Sequence, residues 1–163
     1  MRRGLYFKAP ATRYGMVKPR IEEIVREIFR TPNSGFGPAG HSAAQALGIT
    51  TQVPATYEAS ALRKVDPITG ATLHVRSNPA RAALNEREIA ILEVLRSPEH
   101  FVDGGMTRLA RSVHELAQTG TVRPRLIGRV VAGESSTVRD NYARLVRALD
   151  SAAGKPARAQ SAA

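Results

Sequence analysis

Hydrophobic and polar positions follow one another along this chain with a period that changes from segment to segment. Ile21, Ile24, Val25, Ile28 and Phe29 recur at i, i+3, i+4, i+7 and i+8, the spacing of one helix face. Glu22, Glu23, Arg26, Glu27 and Arg30 fill the opposite face, and Pro19 suits the first turn. The pattern predicts a surface helix docked by one stripe. Ahead of it, Leu5-Tyr6-Phe7-Lys8 is a run of strand formers after Gly4, followed by a loop from Pro10 to Gly15. Behind it, Thr31 to Gly40 holds three Gly, two Pro, an Asn and a Ser, and reads as a loop.

The stretch from Ser42 to Leu47 is dense in Ala, the residue that loses least on entering a helix. Gly48 stands where a helix closes on a left-handed residue, and Pro54 imposes an extended approach. Leu47, Ile49 and Val53 are expected to pack this helix onto a sheet, with Gln52 bonding neighbouring backbone. After Pro54 the pattern turns strand-like at Ala55 to Ala59. Leu62 to Val65 and Ala71 to Arg76 flank Asp66-Pro67-Ile68-Thr69-Gly70, a hairpin-type loop. A small antiparallel sheet is expected over residues 55 to 76.

The second half reads as helical. Asn85 with Glu88 three residues on is a capping-box start for a helix to Leu95, buried through Ile89, Leu92 and Leu95 with Val94 beside them. Another helix spans Thr107 to Gln118 and stops at Gly120. Leu126 to Val131 follows Pro124 as a short helix. Ser136 to Leu149 is the last, with Val138, Tyr142, Leu145, Val146 and Leu149 on one face. From Asp150 the composition is Ala, Ser, Gly, Lys and Pro, which predicts a disordered tail over 150 to 163. There is no internal repeat. The expected fold class is α+β, with a small sheet near the middle and a helical C-terminal half, in one domain over residues 1 to 149.

Composition narrows the chemistry. With 163 residues, 42% hydrophobic and only 5% aromatic, the core must be built mainly from Ala, Val, Leu and Ile. The absence of Cys removes disulfides, thiolate catalysis and Cys-based metal sites. No apolar run approaches the roughly 20 residues of a membrane helix, and the two N-terminal arginines have no apolar stretch behind them. No membrane partner is therefore expected, and the cytoplasm is the expected location. The formal net charge is +10, carried mainly by Arg. That charge fits a polyanionic partner, and it equally fits arginine placed on solvated faces.

Catalytic patterns are missing. His41, His74, His100 and His114 show no metal-ligand spacing with an acidic companion on one helix face. Ser42, Ser60, Ser112 and the pair Ser135 and Ser136 sit in no nucleophile elbow. Gly35-Phe36-Gly37-Pro38-Ala39-Gly40 is Gly-rich ahead of a helix but lacks the Gly-Lys-Ser/Thr of a phosphate loop. A turn leading into a helix is the plainer reading. A non-enzymatic protein with no metal and no cofactor is expected. What remains is basic clusters: Arg2, Arg3, Lys8 and Arg13 with Tyr6 and Tyr14 interleaved; Arg108, Arg111, Arg123, Arg125 and Arg129; and Arg139, Arg144 and Arg147. Arg108 and Arg111 share a helix face, as do Arg125 and Arg129. Of these, Arg2, Arg3, Lys8, Arg13, Arg108, Arg111, Arg125 and Arg129 are the candidate nucleic-acid contacts.

Three blocks resemble the AbiEi-like antitoxins, including the group classed as a domain of unknown function. The first is Arg3-Gly4-Leu5-Tyr6-Phe7-Lys8 with Arg13-Tyr14-Gly15, similar to the segment that ends the family's winged-helix region. The second is Gly40-His41-Ser42-Ala43-Ala44-Gln45-Ala46-Leu47-Gly48-Ile49-Thr50-Thr51-Gln52-Val53-Pro54-Ala55, whose Gly40, Leu47, Gly48, Gln52 and Pro54 carry the signature. The third is Leu73 and Val75 followed by Arg76-Ser77-Asn78-Pro79. The resemblance spans roughly residues 3 to 95. It implies a remnant wing strand and helix over 1 to 30, a signature region over 40 to 95 and a helical part over 105 to 149. It also implies an antitoxin of a type IV toxin–antitoxin system, opposing a nucleotidyltransferase-type toxin without a stable complex and able to repress its own operon. Family members place a helix-turn-helix ahead of the first block, where this sequence has only Met1 and Arg2. DNA binding through that module is therefore expected to be lost by truncation, leaving weak, sequence-independent contact. A basic module docking an acidic protein is the other function considered.

Overall fold

The computed structural model describes residues 11–12, 15–16 and 19–153. The expected strand at Leu5 to Lys8 and the cluster of Arg2, Arg3, Lys8 and Arg13 lie outside the described residues. Within the segment read as a loop, Ala11–Thr12 (β1) and Gly15–Met16 (β2) pair as a minimal antiparallel ladder. Helix α1 runs over Ile21–Ile28, with Glu22 and Glu23 in the first turn where the helix dipole favours them. Its apolar stripe is turned inward through Val25 and Phe29.

The sheet contains Gly37–Pro38 (β3), Tyr57–Ala61 (β4) and Ala71–Val75 (β5), in the order β3-β4-β5. β3 is antiparallel to β4, but β4 and β5 are parallel, in register from Tyr57 opposite Ala71 to Ala61 opposite Val75. This corrects the antiparallel hairpin expected from Asp66 to Gly70. A turn does form there, with the Ala71 N–H donating to the Ile68 carbonyl. However, Leu62 to Val65 is not a strand. Val65 and Ile68 pack with Val25, Phe29, Phe36, Ala59 and Ala61 in a small core under α1. Burying them carries the connection back past β4, so β5 starts beside the start of β4. The α+β class holds: a small mixed sheet with helices before and after it.

Helix α2 covers Gly40–Ala46. Gly48 has φ +68°, its N–H donates to Gln45 and the Ile49 N–H donates to Ala44, closing the helix in a Schellman motif as its position predicts. Leu47 and Ile49 are buried as expected. Val53 is not, at 79% exposed, and the Gln52 side chain is exposed with no hydrogen bond among the described residues. The buried Thr50 explains both corrections. Its hydroxyl accepts the Gln52 N–H at 3.2 Å, and this side-chain turn lifts residues 51 to 53 off the surface.

Five further helices complete the chain: Glu86–Val94 (α3), Pro98–Phe101 (α4), Gly105–Gln118 (α5), Pro124–Val131 (α6) and Ser136–Ala153 (α7). A 3-10 turn at Pro79–Ala83 precedes α3. The Asn85 and Glu88 capping box is present with both bonds made. α3 is the axis of the main core, which gathers Ile89, Leu92 and Leu95 with Leu47 just past α2, Leu109 from α5, Ile127 from α6 and Leu145 from α7. α7 continues past Asp150 to Ala153, where a disordered tail was expected, and the Ser151 hydroxyl donates to the Arg147 carbonyl within it. Val146 lies at the rim of the expected buried face, 36% exposed.

Candidate nucleic-acid interface

The helical half is fastened to α3 by ionic contacts that no periodicity announces. Arg81 is fully buried. Its Nε and Nη2 donate to the two oxygens of Glu134 at 2.7 and 2.8 Å, and its Nη1 donates to Glu93 at 2.6 Å. Arg76 adds a second fork to Glu93. Asn78 donates to Glu134 at 2.8 Å and to the Val130 carbonyl at 2.9 Å. Burial pushes both carboxyls upward, but their partners outweigh it: the Arg76 and Arg81 cations hold Glu93, and the Arg81 cation with the Asn78 hydrogen bond holds Glu134, below the usual carboxylate range. A separate clamp joins buried Glu88 of α3 to Arg123, through its backbone N–H and its guanidinium. Burial raises Glu88 and the Arg123 and Asn85 hydrogen bonds lower it, with a net fall.

These contacts decide which arginines are committed to the fold. Arg123 is spent on Glu88. Arg144 is spent on Glu99 and Asn141, and Arg139 donates to the Glu134 carbonyl. Arg108 donates to the Gly48 carbonyl at 3.3 Å and Ser112 to the Leu47 carbonyl at 2.9 Å, satisfying the open end of α2. Arg111, Arg125, Arg129 and Arg147 are exposed, and no side-chain bond is recorded for them among the described residues. The five arginines expected to act as one cluster from Arg108 to Arg129 are thus divided between structural and free roles.

Other candidate chemistry resolves into packing. A cleft of about 850 Å³ runs between the end of α2 and α5, and Arg108 and Arg111 share its lining with Asp103 and Glu115. At the Gly-rich loop, the Ser42 hydroxyl accepts the Glu58 N–H, and the Glu58 carboxylate lies against Gly40. That anion occupies the place a phosphate would need. His41 and His100 meet edge to face beside Phe101, His74 lies 3.4 Å from Glu58, and His114 bonds Gln118. Among the described residues no three His, Asp or Glu side chains gather to hold a metal ion. No described helix is long and apolar enough to cross a membrane. Half of the net charge of +10 lies in residues 1–18, which carry five cations and no acid.

Sequence reasoning missed Arg81, Glu93 and Glu134. One signal was available. The run Ile89-Ala90-Ile91-Leu92 puts apolar residues on every side of α3, so a glutamate next to it has to be paired.

No family model matches the chain, and no curated protein matches it. Among solved structures, it is similar to the crystal structure of RV2827C protein from Mycobacterium tuberculosis, at 18% identity and a TM-score of 0.45. The match covers 88% of this chain and 57% of that one, so the chain spans little more than half the length of that protein.

Proposed function

We propose that the chain is a non-enzymatic, AbiEi-like antitoxin of a type IV toxin–antitoxin system, which contacts nucleic acid and opposes a nucleotidyltransferase-type toxin without forming a stable complex with it. The wording of residues 40 to 55 supports the family reading. The observation that carries the nucleic-acid part is the set of exposed arginines on α5, α6 and α7 with no recorded acid partner, set beside an N-terminal segment rich in cations. Free guanidinium groups bind phosphate oxygens, and each contact releases condensed counterions.

The test is a titration of the chain against duplex DNA at two salt concentrations. Binding is expected at low salt and should fall steeply as salt rises, by about 0.9 log units per log of salt for each phosphate contact. Charge reversal at Arg2, Arg3, Lys8 and Arg13 should flatten that dependence. Reversal at Arg26 and Arg30 should change it less, because those side chains already pair with Glu22, Glu86 and Glu27. Absence of binding at low salt would contradict the nucleic-acid reading and favour docking to an acidic protein.

A further inference from the structure

α6 and α7 are joined by the short turn 132–135, which contains Gly133. α7 packs back on both α5 and α6, giving a three-helix unit. Two helices joined by a four-residue, glycine-containing turn and backed by a third helix have the form of a helix-turn-helix, in which the second helix reads the major groove. Resting on the nucleic-acid reading above, we propose that α6, this turn and α7 form a DNA-reading helix-turn-helix. In it the exposed face of α7, centred on Ser136, Asp140, Ala143 and Arg147, lies in the major groove of duplex DNA, and Arg125 and Arg129 of α6 lie against phosphates.

The face is defined by its opposite. Val138 and Leu145 are buried and Tyr142 and Leu149 pack against the core, which leaves positions 136, 140, 143 and 147 outward at i, i+4, i+7 and i+11. The face carries two polar side chains, an alanine and an arginine, with no large apolar side chain at its centre to seal against a protein. A helix about 10–12 Å across with its side chains fits a major groove about 12 Å wide. The small Ser136 and Ala143 leave room for α7 to approach closely. Arg147 is placed to donate to guanine, and Asp140 to accept from a cytosine amino group. Arg125 and Arg129, four apart on the preceding helix, supply charge where the first helix of such a motif crosses the backbone.

The turn is also held rigidly, as precise groove reading requires. Glu134 within it is gripped by Nε and Nη2 of Arg81. Gly133 sits so close to Asn78 that a Cβ there would fall 2.8 Å from the side-chain Oδ1 of Asn78, so glycine is what lets the turn seat on the network. This goes beyond the sequence-independent contact expected from charge alone.

The experiment uses the full chain and short duplexes tiling the DNA upstream of its own reading frame, with a scrambled duplex as competitor. The chain should prefer one of the upstream duplexes. Ala143→Glu places bulk and negative charge at the centre of the face without touching the core. It should weaken the preferred duplex by at least about tenfold, the scale of one lost base contact. Arg147→Ala should erase much of the preference over the scrambled duplex. Arg30→Glu, just beyond α1, should leave the preference intact, and circular dichroism melts should show all variants folded. A preference retained in both α7 variants, or a wild-type chain that binds all duplexes equally, would overturn the helix-turn-helix while leaving the nucleic-acid reading in place. No binding to any duplex would remove both.

Discussion

Replacing Arg81 by alanine is expected to destabilise the fold by about 3–5 kcal/mol, the range for breaking a buried ion pair by removing one partner. The cost arises less from lost attraction than from what is left behind. Glu93 is 1% exposed and Glu134 4% exposed at the side chain, and neither can recover water without opening the core. Arg76 would still reach Glu93, but among the described residues the Glu134 carboxylate would keep only Asn78. Arg81→Lys should recover part of the loss and no more, because an ammonium cannot present the fork that grips Glu134 with two donors and Glu93 with a third. Denaturant unfolding of the two variants checks this. An alanine variant within about 1 kcal/mol of wild type, the usual range for an unremarkable substitution, would show that the network is not what holds the helical half to α3.

The second large effect is on acid stability. A glutamate in an unfolded chain titrates near 4.3. Glu88, Glu93 and Glu134 all titrate below the usual carboxylate range in the folded chain, because arginine and hydrogen-bond partners outweigh the burial that would raise them. Stability linked to these groups is fully present above the unfolded value and is lost as pH falls through the lowered folded values. The denaturant midpoint should therefore hold from neutral pH to about 5 and drop below that. In Arg81→Ala the cation shared by Glu93 and Glu134 is gone and burial acts on them with less opposition. Its deficit relative to wild type should be greatest at neutral pH and should shrink in acid. A wild-type midpoint that stays level to about pH 3 would contradict the assignment of these carboxylates as ionised and paired.

Much of the helical framework is legible in the sequence because its signals are local. The 3.6 spacing of Ile21 to Phe29, the Asn85 and Glu88 box and the Gly48 stop each use residues within a few positions of one another, and each is present in the fold. The direction of β5 was not legible. Turn chemistry at Asp66 to Gly70 is the same whether the chain doubles back or crosses over. What decides between them is where Val65 and Ile68 find a core, and that depends on α1, far away in sequence. The exposure of Val53 was hidden for a similar reason, since a single hydroxyl at Thr50 redirects the backbone.

The candidate site was only half legible. Arg125 and Arg129 share an exposed face of α6 as their spacing suggested, with no side-chain bond among the described residues. Arg108 and Arg123 resemble them in sequence yet close α2 and clamp α3. A free arginine and a structural one differ only in the carbonyl or carboxylate that the fold brings to them. The turn between α6 and α7 was passed over because its anchor, Arg81, is more than fifty residues upstream of Glu134.

The claim that this chain is an antitoxin is tested most directly by growth. A nucleotidyltransferase-fold protein encoded beside it should arrest growth when induced alone. Co-expression of this chain should restore growth, and the two proteins should not co-purify. Arrest that persists with the folded chain present at equal or higher level, or a neighbouring gene of unrelated type, would contradict the account.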